Sequence, residues 1–304
     1  MPARNADGHG GGIMPYRIYV FVAEIAPAQS RTGSLSEDTG LDYWYLLAFL
    51  VTGTVSGLLA GLLGIGGGAI IVPSLMLLFA GMHAGDEWIP HQAVATSLAT
   101  VIATGAASAW AHHRRGAVRW DLLMSLVPGL LFGAWLGAFV GGWLPDLWLK
   151  RLFGLFLLFS SFKLLSQPSP KPAQAPPSAP GLAGTATVFG ALSALLGIGG
   201  GILIVPYLAR QGIALRHAVG TSSACGVPMA MAGTLGFVLT GWGRAGLPAY
   251  SIGFVYWPAA LAIIAASMPM ATIGARLAHR LPTRMLKRVF ALLLLLVGLR
   301  LLTS

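Results

Sequence analysis

Two stretches of this chain repeat almost the same sequence, and each places four glycines within five consecutive positions of a long apolar segment. The first is GLLAGLLGIGGGAIIVP, residues 57–73, and the second is GALSALLGIGGGILIVP, residues 190–206. Glycine in a helix interior is about 1 kcal/mol less favourable than alanine. In a bilayer, backbone groups released from a helix must find partners other than water. The doubled GIGGG motif therefore predicts a deliberate break of the helix at the same place in each copy.

The composition places this chain in a membrane. Of 304 residues, 56% are hydrophobic and only 9% are charged, whereas soluble domains carry about 25% charged residues. The net charge of +10 comes from basic residues scattered between apolar segments, a pattern typical of membrane loops rather than of a nucleic-acid surface. We therefore expect a lipid bilayer and no nucleic acid as partner. The single cysteine, Cys225, excludes an intramolecular disulfide.

The apolar segments divide the chain into four parts. Residues 1–42 form a polar or interfacial arm, because their apolar stretch 13–26 is too short to span a bilayer. Residues 43–166 and 182–304 each hold five apolar segments, and the Pro-rich linker 167–181 between them is polar and extended. The predicted segments are 43–63, 69–81, 92–111, 121–143 and 148–166, followed by 182–196, 202–209, 217–240, 254–276 and 285–302.

The predicted fold is an all-α polytopic membrane protein with two inverted repeats, in which the first two segments of each repeat meet at a GIGGG break within the membrane. If each half crosses the membrane an odd number of times, twelve of the 19 basic residues fall on one side and eight of the nine acidic residues on the other. The positive-inside rule then puts the linker in the cytoplasm and both termini outside. After each break we expect an extended run, with a helix resuming at Pro73 and Pro206.

Paired breaks in two halves of a membrane protein point to a transporter's binding site. Freed N–H groups and helix N-termini attract anions, and glycine lets the backbone approach a ligand closely. Hydroxyl side chains downstream could add donors or could bond back to their own helix, and both alternatives stay open. For Gly57-xxx-Gly61 we favour close helix packing. The candidate substrate-binding residues are Gly66, Gly67, Gly68, Thr96, Ser97, Gly199, Gly200, Gly201, Thr221 and Ser222.

The doubled GIGGG motif, followed each time by aliphatic residues and Val-Pro, resembles the sulfite exporter TauE/SafE family. The hydroxyl runs Ala93–Ser97 and Ala218–Ser222 repeat as well, and the likeness extends from Leu46 to Leu302. The resemblance implies a carrier for small sulfur oxyanions or organosulfonates, without deciding which anion. We expect a multi-pass protein of the plasma membrane, the inner membrane in bacteria. No cofactor or metal is expected, and assembly into a homo-oligomer is left open.

The positions of the acidic residues indicate whether transport needs a coupled ion. None lies in the middle of an apolar segment, and none follows Asp146, whereas ion-coupled carriers usually keep a carboxylate in the membrane. Export of an anion needs no coupled ion, because the membrane potential supplies about 2.3 kcal/mol per charge per 100 mV. We therefore predict export or potential-driven facilitation. His91 and His217 begin matching segments and could accept a substrate proton, but histidines at such segment ends are expected to be merely solvated.

Three other functions were weighed against a carrier. Residues 64–69 match a GxGxxA dinucleotide fingerprint but lack its strand–helix–strand context. A hydrolase would need a carboxylate or histidine in the core beside a nucleophile, so no enzyme is predicted. An anion channel is the closest alternative, because the same donors could form a selectivity filter. The second alternative is a carrier of another small oxyanion or of a carboxylate.

Overall fold

The computed structural model describes residues 43–64, 66–82, 86–165, 179–278 and 283–303. The predicted arm 1–42 and most of the linker 167–181 lie outside these residues. The described residues form ten α-helices, numbered α1 to α10 in chain order. They are Tyr43–Leu63, Gly68–Met82, Ile89–His113, Trp120–Gly141, Asp146–Leu165, Ala179–Leu195, Gly201–Arg210, Leu215–Gly241, Trp257–Leu277 and Thr283–Thr303.

Five of these helices, α1, α3, α4, α8 and α9, are long and apolar enough to cross a membrane. A helix satisfies its own backbone hydrogen bonds, so such apolar sequences are stable in lipid only in this form. The chain is thus an all-α polytopic membrane protein, as predicted. A two-stranded hairpin that the sequence interpretation did not include, β1 (Ser251–Ile252) with β2 (Val255–Tyr256), precedes α9.

Helices α3 and α8 form the centre of the molecule. The apolar windows of α3 and α8 are 67% and 61% buried, against 44% for α1, α4 and α9. The two central helices run antiparallel, because Leu98 near the start of α3 lies beside Gly233 late in α8. Further along α3, the Ser108 hydroxyl is 3.1 Å from the Ser223 hydroxyl near the start of α8. Lipid-facing helices surround this pair.

Glycine-rich faces bring two further helix pairs into close contact. Along α1, Gly53 packs against the carbonyl of Ile263 in α9, and Gly57 packs against Ser267. Along α4, Gly129 and Gly133 pack in the same way on α6. Small residues at every fourth position allow helix backbones to approach closely in membranes, so the packing role predicted for Gly57-xxx-Gly61 is confirmed. In both pairs the contacts advance together along the sequence, so the paired helices are parallel.

The last helix of each half also packs against its counterpart. Gly154 in α5 lies beside Leu302 at the end of α10, and the Ser161 hydroxyl donates to the Ala291 carbonyl at 2.7 Å. Because residue numbers rise along α5 as they fall along α10, these two helices are antiparallel. The same relation holds between α3 and α8.

The helix is interrupted at both glycine clusters. Helix α1 ends at Leu63 and α2 begins at Gly68, while α6 ends at Leu195 and α7 begins at Gly201. The expected extended run up to each proline is wrong: both prolines lie inside a helix that has already started. So close to the helix start, a proline removes only one interior hydrogen bond. Helical geometry also buries the aliphatic residues Ile71 and Ile204.

Candidate anion site at the two glycine-rich breaks

The two breaks touch each other backbone to backbone. A Cβ atom added to Gly66 would lie 2.7 Å from the Cα of Gly199, and one added to Gly68 would collide with the carbonyl oxygen of Gly197. The φ angles of Gly66 and Gly200 are +80° and +73°, which only glycine adopts readily. The predicted glycines of the two clusters are therefore in one place, although more than 130 residues separate them in the chain.

Each break ends in a helix N-terminus with backbone donors available. The Gly200 carbonyl accepts from Leu203 and Ile204 at 3.1 and 2.9 Å, which starts α7. The N–H groups of Gly199 and Gly201 have no acceptor among the described residues, whereas Gly200 donates to Ile198 at 2.8 Å. The helix dipole adds about half a positive charge at such an end.

The first break has the same construction. The Gly67 carbonyl accepts from Ile70 and Ile71 at 3.0 and 3.2 Å, which starts α2. No acceptor within the described part of the chain is found for the N–H groups of Gly66 and Gly68. Two helices thus begin at adjacent glycine backbones, which gives the region partial positive charge and hydrogen-bond donors without a cationic side chain.

The predicted serines hold the breaks from the opposite half of the chain. The Ser97 hydroxyl donates to the Gly197 carbonyl at 2.8 Å, and the Ser222 hydroxyl donates to the Gly64 carbonyl at 3.4 Å. Both serines are fully buried. In this structure their protons are therefore directed at carbonyl groups that the broken helices leave without an internal donor.

The predicted threonines hold the starts of two other helices. Thr96 accepts from the backbone N–H of Tyr256 at 3.0 Å, just before α9, and Thr221 accepts from that of Arg119 at 3.0 Å, just before α4. The first N–H groups of a helix have no partner within it. In the described part of the chain, all four hydroxyl side chains bond to the backbone of a distant segment, which is a third role beside ligand binding and a bond back to their own helix.

We predict that Ser97→Ala lowers the stability of the protein by about 1–3 kcal/mol, because it leaves a buried carbonyl without its donor. Ser222→Ala should have a smaller effect, since the 3.4 Å bond is near the limit of hydrogen bonding. Thermal unfolding in detergent measures both. The control is Ser125→Ala, because Ser125 is exposed and bonds to its own helix. Equal melting temperatures for the Ser97 and Ser125 variants would contradict the assignment.

A row of buried hydroxyl groups along α3 was not singled out from the sequence. Thr100, Thr104 and Ser108 continue the face of Ser97 at intervals of three and four residues, and all are buried. The Thr104 hydroxyl is 2.6 Å from that of Ser267 in α9. The helical spacing of these hydroxyls is a signal that the sequence contains, and it leads from the second break along the central helix.

The histidines differ from the sequence expectation. His91 is completely buried rather than solvated, and its Nδ1 atom lies 2.9 Å from a carboxylate oxygen of Asp146. His217 is partly buried and contacts Arg216 and the Ala117 carbonyl. The expectation failed because a helix end in this fold is covered by the hairpin before α9. Among the described residues, no three His, Cys, Asp or Glu side chains form a group that could hold a metal ion.

Comparison with known proteins identifies a family of transporters. The family described as Sulfite exporter TauE/SafE has a model that matches residues 49–301. A probable membrane transporter protein of Haemophilus influenzae is 34% identical, and the match covers 84% of this chain and 97% of the relative. A probable membrane transporter protein of Xylella fastidiosa is 31% identical, over 83% and 93% of the two chains.

More distant relatives have the same description. A probable membrane transporter protein of Methanocaldococcus jannaschii is 28% identical, over 85% of this chain and 97% of the relative. These relatives are described as membrane transporters and not as enzymes. No solved structure matches the chain.

Proposed function

Because this chain belongs to the sulfite exporter TauE/SafE family of membrane transporters, we propose that it moves a small sulfur-containing anion across the plasma membrane. Sulfite, sulfoacetate and related organosulfonates are the proposed substrates. The observation that carries the proposal is the contact between Gly66 and Gly199, where two helices begin with backbone donors that have no acceptor among the described residues. Oriented N–H groups at helix starts bind oxyanions in other proteins without a charged side chain.

The two halves of the chain are proposed to be inverted repeats. Three observations support this: α3 and its counterpart α8 are antiparallel, α5 and its counterpart α10 are antiparallel, and the Ser–Gly and Thr–backbone bonds occur once in each direction. An inverted repeat places its symmetry axis in the membrane plane, and substrate sites of such carriers lie near that axis. The breaks that contact each other are then the substrate site.

The candidate residues are proposed to have different roles in binding the ligand. Gly66, Gly68, Gly199 and Gly201 offer N–H groups with no acceptor among the described residues. Gly67 and Gly200 shape the turn through left-handed backbone. Ser97 and Ser222 donate their hydroxyl protons to carbonyl groups and could donate to a ligand only after a rearrangement. Thr96 and Thr221 accept from backbone N–H groups and keep the adjacent helices in place.

The energetics favour export or potential-driven facilitation. An anion leaving a cell that is negative inside gains about 2.3 kcal/mol per charge per 100 mV, which is roughly a fifty-fold concentration ratio. Backbone donors bind the anion without adding a full positive charge, so the site can release it again. Import of the same anion would require a coupled ion.

The test is a panel of small anions on purified protein in liposomes. We expect labelled sulfite or sulfoacetate to enter in a saturable way and to show counterflow against an unlabelled internal pool. Unitary currents without counterflow would favour the alternative of an anion channel. Transport of carboxylates or other oxyanions in place of the sulfur compounds would favour the other alternative. No movement of any anion would contradict the proposed function.

Labelling of single engineered cysteines tests the proposed orientation. We expect Ser169→Cys in the linker to be protected from an impermeant reagent added to whole cells, as Arg114→Cys should be. Ala249→Cys, exposed between α8 and α9, should react. The natural Cys225 is buried and gives no background. Reaction of Ser169→Cys from outside would overturn the inverted orientation.

A further inference from the structure

His91 has an unusual environment for a structural histidine. Its side chain is fully buried at the first turn of α3, and its Nδ1 atom lies 2.9 Å from Oδ1 of Asp146. The Nδ1 contact with the carboxylate is close but is not an aligned hydrogen bond, and the Nε2 atom has no partner among the described residues. Leaving such a nitrogen buried without a partner costs about 1–3 kcal/mol. The Asp146 side chain is 27% exposed, so protons from the outer solution can reach the pair.

Aromatic rings shield the imidazole. Trp88 packs edge-on at 5.4 Å and Phe254 lies tilted at 5.0 Å between ring centres. Arg244 lies over the Trp88 ring at 5.2 Å, so its charge is close, but within the described part of the chain it forms no ion pair with Asp146. The charged or titratable groups on the elements around His91 are Asp146 and Lys150 of α5, Glu87 before α3, Arg244 after α8 and Tyr256 of β2.

The other half of the chain provides the contrast. His217 is only partly buried near the start of α8, and both of its ring nitrogens have partners: Nε2 accepts from Arg216 at 3.1 Å, and Nδ1 lies 3.3 Å from the Ala117 carbonyl. No carboxylate contacts it among the described residues. A histidine of purely structural use would be expected to resemble His217, so the His91–Asp146 pair calls for another explanation.

The pair is connected to the proposed anion site. His91 precedes Ser97 by six residues on α3, or about 9 Å of helix, and Ser97 donates to the Gly197 carbonyl of the second break. Phe254, which packs on His91, is two residues before Tyr256, whose N–H donates to Thr96. A change of charge at His91 therefore acts on the elements that hold the second break.

We propose that His91 and Asp146 form a proton-binding site at the outer end of α3, and that its protonation strengthens binding of the substrate anion. This inference rests on the proposed function. Nδ1 faces the carboxylate, so a proton from the outer solution is taken up at Nε2. The pair then changes from a net charge of −1 to 0, which removes repulsion of an anion. By reciprocity, anion binding strengthens proton binding by the same factor.

The test measures the dissociation constant of sulfoacetate by calorimetry between about pH 5 and 8, the range in which histidine titrates. The carboxyl group of sulfoacetate titrates at about pH 4, so the ligand is almost fully ionised in this range and cannot account for a several-fold change in affinity. We expect affinity to increase about 5-fold or more towards acid pH, the lower end of common coupling. His91→Gln should bind with no such dependence, and Asp146→Asn should weaken the dependence. The control His217→Gln should behave like the parent.

Each outcome bears on the inference. Affinity independent of pH in the parent, or pH dependence unchanged in His91→Gln, overturns the proton site and leaves the proposed function standing. If the parent binds and transports no anion at any pH, the proposed function and this inference fail together. If His91→Gln does not fold, proton uptake on sulfoacetate binding is measured in weakly buffered solution for the parent and Asp146→Asn. Equal uptake in both proteins, or none in the parent, overturns the inference.

Discussion

Gly68→Ala is expected to reduce anion transport about 10- to 100-fold. The added Cβ atom would collide with the Gly197 carbonyl of the opposite break, so the two glycine segments must separate. Gly68 has no left-handed φ angle, and the effect is therefore steric rather than conformational. Alanine keeps its N–H group, but separation of the segments displaces a backbone donor of one break from a ligand held by the other. Loss of one such bond to a charged ligand costs about 1.5–3 kcal/mol, which corresponds to about that range in affinity. Counterflow in liposomes measures it.

Two further glycines provide graded comparisons for this result. Gly184→Ala in α6 is the matched control, since an added Cβ there meets nothing within 4 Å, and it should transport like the parent. Gly67→Ala should fall between the two, because its Cβ would lie 3.1 Å from the Ser56 carbonyl at a φ angle of +78°. If Gly68→Ala transports at the parent rate and gives a normal yield of folded protein, the proposal that the glycine breaks bind the anion is contradicted.

Gly133→Val is expected to prevent most of the protein from folding. The first added carbon would already collide with the backbone carbonyl of Thr187, and two packed helix backbones cannot both move without breaking their neighbours' contacts. Overpacking of a tight core commonly costs about 1–3 kcal/mol, and a backbone collision exceeds that range. The yield of monodisperse protein in detergent and its melting temperature measure the effect.

The control for this substitution lies on the same helix. Phe132 is 59% exposed on α4, so Phe132→Leu changes a surface that faces lipid rather than the contact with α6. Its yield and melting temperature should stay close to those of the parent. If Gly133→Val is as stable as Phe132→Leu, the close contact between α4 and α6 is not a main source of stability.

The membrane class and the breaks could be predicted because they depend on local properties. Apolar segments of this length leave helix as the stable form in lipid, and clustered glycines weaken that helix wherever they stand. The position at which the helix resumes could not be predicted from proline alone. Pro73 and Pro206 argued for a later start, but burial of neighbouring aliphatic side chains in a helix outweighed the loss of one hydrogen bond.

The roles of the polar residues could be predicted only in part. Ser97 and Ser222 were predicted as site residues because their motif is repeated. The neighbouring sequence does not indicate that the Gly197 and Gly64 carbonyl groups accept their hydrogen bonds. His91 was expected in water because it stands at a segment end. Its burial depends on Phe254, which is 163 residues away.

The sequence by itself determined that this chain is a helical membrane protein with a repeated glycine-rich motif, because hydrophobicity and glycine content act on a helix over a few residues at a time. The tertiary structure alone decided that Gly66 meets Gly199, that each serine holds the other half's break, and that His91 is paired with Asp146. Such contacts depend on the direction and packing of whole helices. Local sequence patterns do not encode which distant helix face a residue will meet.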